Sequence, residues 1–257
     1  VASYNPLSRS YFKMVEILHT FKLHDMPRDI RSFHLAEGPG GFIEALCNIR
    51  KNPRDMYYGM TIASDLNDPN VPGWKKTKNF LQQNKNIYLE YGSDNSGDIL
   101  NIDNFVYVCE KYGSSMDIVT GDGGFDFSGD FNLQEANISK LLFAQVAFGL
   151  CLQKKGGSFI LKIFDSFMQH TIDLLYILSS FYEKVYIMKP HTSRYANSEK
   201  YIICKGFYHS SNQRFFGILH RAFEKMIRPV SNSPLYTQRL LSVPIPYYFH
   251  TKIEEYN

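Results

Sequence analysis

Apolar runs of strand length alternate with runs of helical period along most of this chain, and no other feature restricts its fold as much. "SFHLAEG" leads through a glycine turn into the helical pattern "FIEALCNI". "MYYGMTIA", "WKKTKNFLQQ", "NIYLEYG" and "IDNFVYVCEKYG" then repeat strand and helix in the same order. "MDIVTGDGG", the long helical stretch "LQEANISKLLFAQVAFGLCLQKKG", "GSFILKIF", "TIDLLYILSSF" and "KVYIMKP" continue the series. Such alternation predicts an α/β domain: a Rossmann-like, mostly parallel sheet with helices on both faces, joined by right-handed crossovers. No helix fits between "KVYIMKP" and "KYIICKGF", so those two strands are expected to pair antiparallel.

The length of 257 residues suits one large α/β domain with additions. Residues 1–207 read as that domain. Residues 1–30 form its N-terminal helical segment, where Phe12, Val15, Leu18 and Phe21 recur three apart with Lys13 beside the stripe. Residues 208–257 read as an appendage packed on the same domain, with "NQRFFGILHRAFEKMI" helical and "SVPIPYYFH" extended by its prolines. The chain starts at Val1 without an initiator methionine or a signal pattern, which reads as part of a longer protein with flanking segments missing.

A hydrophobic share of 44% with 21% charged residues is that of a globular protein. No apolar run approaches the roughly 20 residues needed to cross a bilayer, so no membrane role is expected. The net charge of +3 leaves room for an acidic partner such as RNA without requiring one. Cys47, Cys109, Cys151 and Cys204 are far apart and form no CxxC pair. They read as free thiols of a reducing, cytoplasmic compartment. The eight histidines have no ligand spacing, and no metal site is suggested.

The turn "AEGPGGFIEA" puts Glu37, Gly38, Pro39, Gly40 and Gly41 between a strand and a helix, where glycines let the backbone approach a ligand at the carboxyl edge of the sheet. A G-x-G-x-x-G fingerprint would need glycine at position 43, and Ile43 stands there, which disfavours a nicotinamide cofactor. Asp122 follows one parallel strand and Lys162 closes another, so both belong to that same edge. A final antiparallel strand brings its beginning there too, and with it Glu199. Each has a plainer reading: an Asx turn for Asp122, a solvated strand start for Glu199, an exposed helix lysine for Lys13. Lys162 is the least easily dismissed, because lysine is rarely buried unpaired.

An antiparallel last strand on such a sheet is the arrangement of the S-adenosylmethionine-dependent methyltransferases. From "SRSYFKMVEI" through "AEGPGGF", "GMTI", "GDGGFDF" with "LQE", "GGSFILKIFD" and "KPHTSRYANSEKYIICKGF", the sequence resembles the FtsJ-like ribose 2'-O-methyltransferases, and among them the messenger-RNA cap enzymes. The likeness covers roughly residues 8 to 207. It implies S-adenosyl-L-methionine as cofactor and a Lys-Asp-Lys-Glu catalytic tetrad of Lys13, Asp122, Lys162 and Glu199. It also implies a cofactor site built from Glu37, Gly38, Pro39, Gly40, Gly41, Phe42, Asp98 and Asp122. The stretch "GMTIASD" supplies no clear acid for the cofactor ribose, Asp65 being a weak candidate. Domains of this kind also occur in large cytoplasmic DNA viruses such as that of African swine fever, and the resemblance implies a viral source and the host cytoplasm.

The reaction so implied is attack of a ribose 2'-hydroxyl on the sulfonium methyl, and the partner is RNA, as capped messenger RNA. A hydroxyl is a poor nucleophile at neutral pH, so a group must take its proton or steady the developing alkoxide. Lys162 is the candidate: it either acts as base, or stays charged while orientation supplies most of the rate. "GDGGF" stands where base-amine methyltransferases hold a Pro-Pro-aromatic run, which disfavours nitrogen chemistry. The competing class is a catalytically silent or partner-dependent domain that binds RNA or a protein. Lys75, Lys76, Lys78, Lys154 and Lys155 could meet phosphates, and Phe125, Phe127 and Phe131 could stack on bases, against the plainer roles of solvated faces and packing.

Overall fold

Residues 4–63, 73, 74, 76–124, 131–164, 166, 168–195, 198–227 and 239–256 are described by the computed structural model. Its strands are β1 (Arg31–Leu35), β2 (Met56–Met60), β3 (Ile87–Glu90), β4 (Met116–Gly121), β5 (Gln153–Ile163), β6 (Tyr182–Met188) and β7 (Lys200–Phe207). They form one sheet in the order β3-β2-β1-β4-β5-β7-β6. The first five pair in parallel, whereas β7 runs antiparallel to both β5 and β6. The helices are α1 (Ser10–Phe21), α2 (Gly41–Arg50), α3 (Lys78–Gln83), α4 (Ile102–Tyr112), α5 (Phe131–Leu152), α6 (Gln169–Phe181), α7 (Phe216–Ile227) and α8 (Tyr247–Glu254).

The central strands are buried on both faces, and the period of two divides their side chains between two cores. Phe33, Val119, Phe159, Leu161 and Ile202 point to the face covered by α4, α5, α6 and α7. Tyr57, Ile118, Ile160, Tyr201 and Ile203 point to the face of α1 and α2, where they meet Met14, Ile17, Phe42 and Ile43. Each such side chain contributes about 1.5–3 kcal/mol by leaving water. The same alternation puts Lys162 on the α1 and α2 face, two residues beyond Ile160. Among the described residues no helix is long and apolar enough to cross a membrane. The four cysteines are free thiols, three of them buried and Cys47 partly so.

Two boundaries depart from the sequence pattern. The expected long helix ends at Leu152, and "QKKGG" joins β5, because Gln153 is buried and donates to the Met116 carbonyl at the start of β4. "SVPIPYYFH" is extended only to Pro246. The residues after it open α8, since proline's fixed φ and missing N–H suit a helix start. The two C-terminal helices belong to the same core: Phe223 of α7 stacks on Phe105 of α4 at 5.0 Å, and Phe249 of α8 meets Tyr176 of α6 edge-on.

Candidate active site

At the carboxyl edge of the sheet, Asp122 follows β4 directly and its N–H donates to the Leu35 carbonyl of β1. Lys162, one residue before the end of β5, donates from Nζ to the Asp122 carbonyl at 2.5 Å and lies 3.2 Å from Asp122 Oδ1. Its cross-strand partner is Tyr201 of β7, whose hydroxyl donates to the same carboxylate oxygen at 3.0 Å. Burial pushes the Tyr201 phenol well above its ordinary range, with the charge of Asp122 adding to it, so this hydroxyl stays a donor. The Lys162 and Asp122 side chains are 12% and 15% exposed, a pair shielded yet open to one side.

Glu199 immediately precedes Lys200, which pairs with Ile163, so the reversal of β7 places it two register positions beyond Lys162. Its carboxylate is buried and meets Lys13 Nζ of α1 at 2.6 Å, and the Ser193 hydroxyl donates to it at 3.3 Å. Lys13 reaches the sheet because α1 is tied down elsewhere. Glu16, one turn on, accepts from the amides of His191 and Thr192 at 2.7 and 3.1 Å and from the Thr192 hydroxyl. Lys205 of β7 donates to the Phe21 carbonyl at the other end of the helix. The four residues of the expected tetrad thus stand as two ion pairs at one edge. Tyr201 and Glu16 were not singled out in the sequence. Glu16 was findable, since it is three residues from Lys13 and shares its face.

A cavity of about 650 Å³ opens beside the first pair, lined by Ser8, Ser10, Gly38, Pro39, Thr61, Ile62, Asp98, Gly123, Gly124, Lys162 and Phe164 among others. That size suits a small-molecule cofactor. Of the expected cofactor residues, Gly38, Pro39, Asp98 and Asp122 line it. Phe42 lies in the core near Tyr201 instead. Gly40 faces Trp74, Leu7 and Thr77, while a Cβ on Gly41 would fall on the Ser8 and Ser10 hydroxyls, so this glycine admits the start of α1. Glycine at position 97 is required by the turn itself: φ is +66°, and a Cβ would strike the Thr61 carbonyl across the cavity wall.

Glu37 is buried beneath the turn, and its Oε1 accepts from the amides of Phe42 and Ile43 at the start of α2. It is first a cap for that helix. Its Oε2 is buried without a hydrogen bond. Burial pushes this carboxyl well above the usual range and the nearby Asp122 charge adds to that, against the amide donors and Lys162. An orphaned acceptor beneath a glycine turn fits a cofactor that brings an ammonium donor. His34 is the opposite case: it is buried between Ser32 and Thr120, pushed down to about 3 by burial, and serves as a neutral link between β1 and β4.

Two buried amides hold the cavity loops. Gln145 of α5 accepts from the Gly123 amide at 2.9 Å, and Asn104 of α4 accepts from Ser93 and donates to the Asp98 carbonyl. Lys154 lies beside Asp117 near the amino end of β4, so the Lys154 and Lys155 cluster belongs to the opposite edge from the cavity. Asp65, Lys75, Phe125, Phe127 and the side chain of Phe131 lie outside the described residues.

Residues 6–207 match the sequence profile of a family described as FtsJ-like methyltransferase. A Danio rerio protein named cap-specific mRNA (nucleoside-2'-O-)-methyltransferase 2 is 35% identical over 209 residues, 77% of this chain and 28% of that protein. The Xenopus laevis cap-specific mRNA (nucleoside-2'-O-)-methyltransferase 1 is 31% identical over 224 residues, 78% of this chain and 26% of that protein. The chain therefore spans about a quarter of the length of these curated relatives. Among solved structures, that of a Plasmodium falciparum protein provisionally assigned as a ribosomal RNA methyltransferase superposes with a TM-score of 0.54. It covers 78% of this chain and 98% of that one at 19% identity, a likeness of fold.

Proposed function

The chain belongs to the FtsJ-like methyltransferase family, and from that premise we propose that it methylates a ribose 2'-hydroxyl of RNA, at a cap-proximal nucleotide of messenger RNA. The observation that carries the reading is the Lys162–Asp122 pair, which borders a cofactor-sized cavity and lies two register positions from a second lysine–carboxylate pair. The names of the curated relatives supply the cap as the substrate context.

The cofactor that fits is S-adenosylmethionine. Gly38 and Pro39 would take the methionine end and Asp98 would face the adenosine end, while Glu37, which does not line the cavity, holds an unpaired Oε2 beneath the turn as an acceptor for the ammonium. Bound there, it supplies an electrophilic methyl on a sulfonium. Lys162 faces the ribose oxygen: as a neutral amine it takes the proton that the hydroxyl loses as the C–O bond forms, and as an ammonium it steadies the developing alkoxide while the proton leaves to solvent. Asp122 and Tyr201 fix its position: the carboxylate and carbonyl of Asp122 hold Nζ, and the phenol holds the carboxylate. Lys13, held by Glu199, adds positive charge on the side where the alkoxide develops. Two lysines matched by two carboxylates keep the cluster near neutral, which lowers the cost of shielding each charge from water.

The test is transfer of labelled methyl from S-adenosylmethionine to capped, uncapped and already 2'-O-methylated versions of one RNA. Incorporation should vanish on the pre-methylated RNA and fall on the uncapped one. Lys162→Ala should abolish transfer while leaving cofactor affinity within a few-fold. Appreciable activity in that variant would remove Lys162 from the chemistry. A protein that binds cofactor and transfers nothing would replace this reading with a partner-dependent or silent binding domain.

A further inference from the structure

The turn that leads into Glu199 carries a feature the chemistry above does not use. Tyr195 is 99% exposed, its ring entirely in water at the edge of the sheet that holds both ion pairs. An exposed tyrosine on a loose loop would mean little, but this turn is fastened from several sides. Glu16 of α1 accepts from the His191 and Thr192 amides, the Ser193 amide donates to the Pro190 carbonyl, and the Ser193 hydroxyl donates to Glu199. Lys189 reaches across to the Tyr195 carbonyl at 3.1 Å, closing the turn on itself. The ring is therefore presented by a backbone ordered in advance, with only its two side-chain torsions left to fix on binding. Exposed Arg194 and Lys189 flank it with positive charge.

We propose that Tyr195 is a stacking platform for a base of the RNA substrate next to the methylated nucleotide, with Arg194 meeting the intervening phosphate. The proposal rests on the RNA-methylating reading and adds the residue that holds the strand outside the catalytic pairs. Tyr195 and Glu199 are four positions apart in the chain, a span of at most about 14 Å and the reach of a few nucleotides. A polyanion with flat, apolar bases is the partner that matches an aromatic face set among cations, and stacking tolerates any base because every base has a π-face.

Two readouts test it: anisotropy of a labelled short capped RNA, and transfer kinetics on the same RNA, for the native protein, Tyr195→Ala and Tyr195→Phe. Tyr195→Ala should weaken RNA binding about tenfold and raise the KM for RNA by a similar factor, the loss falling in KM rather than kcat. Tyr195→Phe should restore both, and the KM for S-adenosylmethionine should not move in either. If the native protein transfers methyl but Tyr195→Ala binds RNA as tightly as it does, the platform is wrong and the ribose chemistry stands. If the native protein transfers no methyl, the ribose reading fails, and the binding arm alone decides the platform. No RNA binding by the native protein, or equal loss in Tyr195→Phe and Tyr195→Ala, would also overturn it.

Discussion

A carboxyl group held out of water with one oxygen unpaired favours its protonated form, and Glu37 is held in that way. The folded chain keeps a proton there that the unfolded chain releases above about pH 4.3. Folding then binds the extra proton, so this group's contribution to stability falls as pH rises from that value through the raised folded value. Glu37→Gln should flatten this fall, read as a smaller drop in unfolding midpoint between about pH 5 and pH 8 than the native protein shows. A cofactor ammonium on Oε2 would draw the proton off. Binding of S-adenosylmethionine should then release protons in proportion to the protonated fraction, measurable by calorimetry in buffers of different ionisation enthalpy, and Glu37→Gln should abolish the release. Residue type and spacing placed Glu37 among cofactor contacts, but they do not say which way a carboxylate turns. Its double duty as helix cap and orphaned acceptor depends on the path of the turn around it.

At the scale of elements, α1 is the part of the candidate site that the sheet does not dictate. Strand and helix periods made β4, β5 and β7 legible, and with them the common edge of Asp122, Lys162 and Glu199, because backbone direction alone decides which strand ends meet. Where α1 lies follows from side chains scattered over the chain: Glu16 on the turn before Glu199, Lys205 on the Phe21 carbonyl, and Gly41 under Ser8 and Ser10. None of these is a period or a motif, so sequence reasoning could name Lys13 only by resemblance. Gly41→Ala should push the start of α1 outward at a cost of about 1–3 kcal/mol. Transfer should fall well below the native rate in a protein that still unfolds cooperatively, because Lys13 moves with the helix. An Ala variant with native activity would mean that α1 adjusts without shifting Lys13. The α5 and α8 boundaries were missed for a related reason: a buried glutamine and a proline set them, and neither changes the hydrophobic period.

Taken whole, the molecule extends its core beyond the residues that match the family. Asp173 of α6 is fully buried and accepts from the amides of Leu240 and Leu241 at 2.7 and 3.1 Å and from Gln169. Asp173→Ala would leave those amides unpaired, costing about 1–3 kcal/mol. Its unfolding midpoint should drop by several degrees while methyl transfer at low temperature persists; an unchanged midpoint would mean that the Asp173 bonds to Leu240 and Leu241 add nothing to stability. The strand order carries a consequence for how the protein is made. Among the described residues β6 meets the sheet only through β7, which is synthesised after it and inserts between β5 and β6. The cavity walls are complete by Phe164, yet the carboxylate that holds Lys13 arrives with the last strand. A chain still emerging from the ribosome, or one cut short before residue 199, would carry a cofactor cavity with no second ion pair and a strand with nowhere to dock.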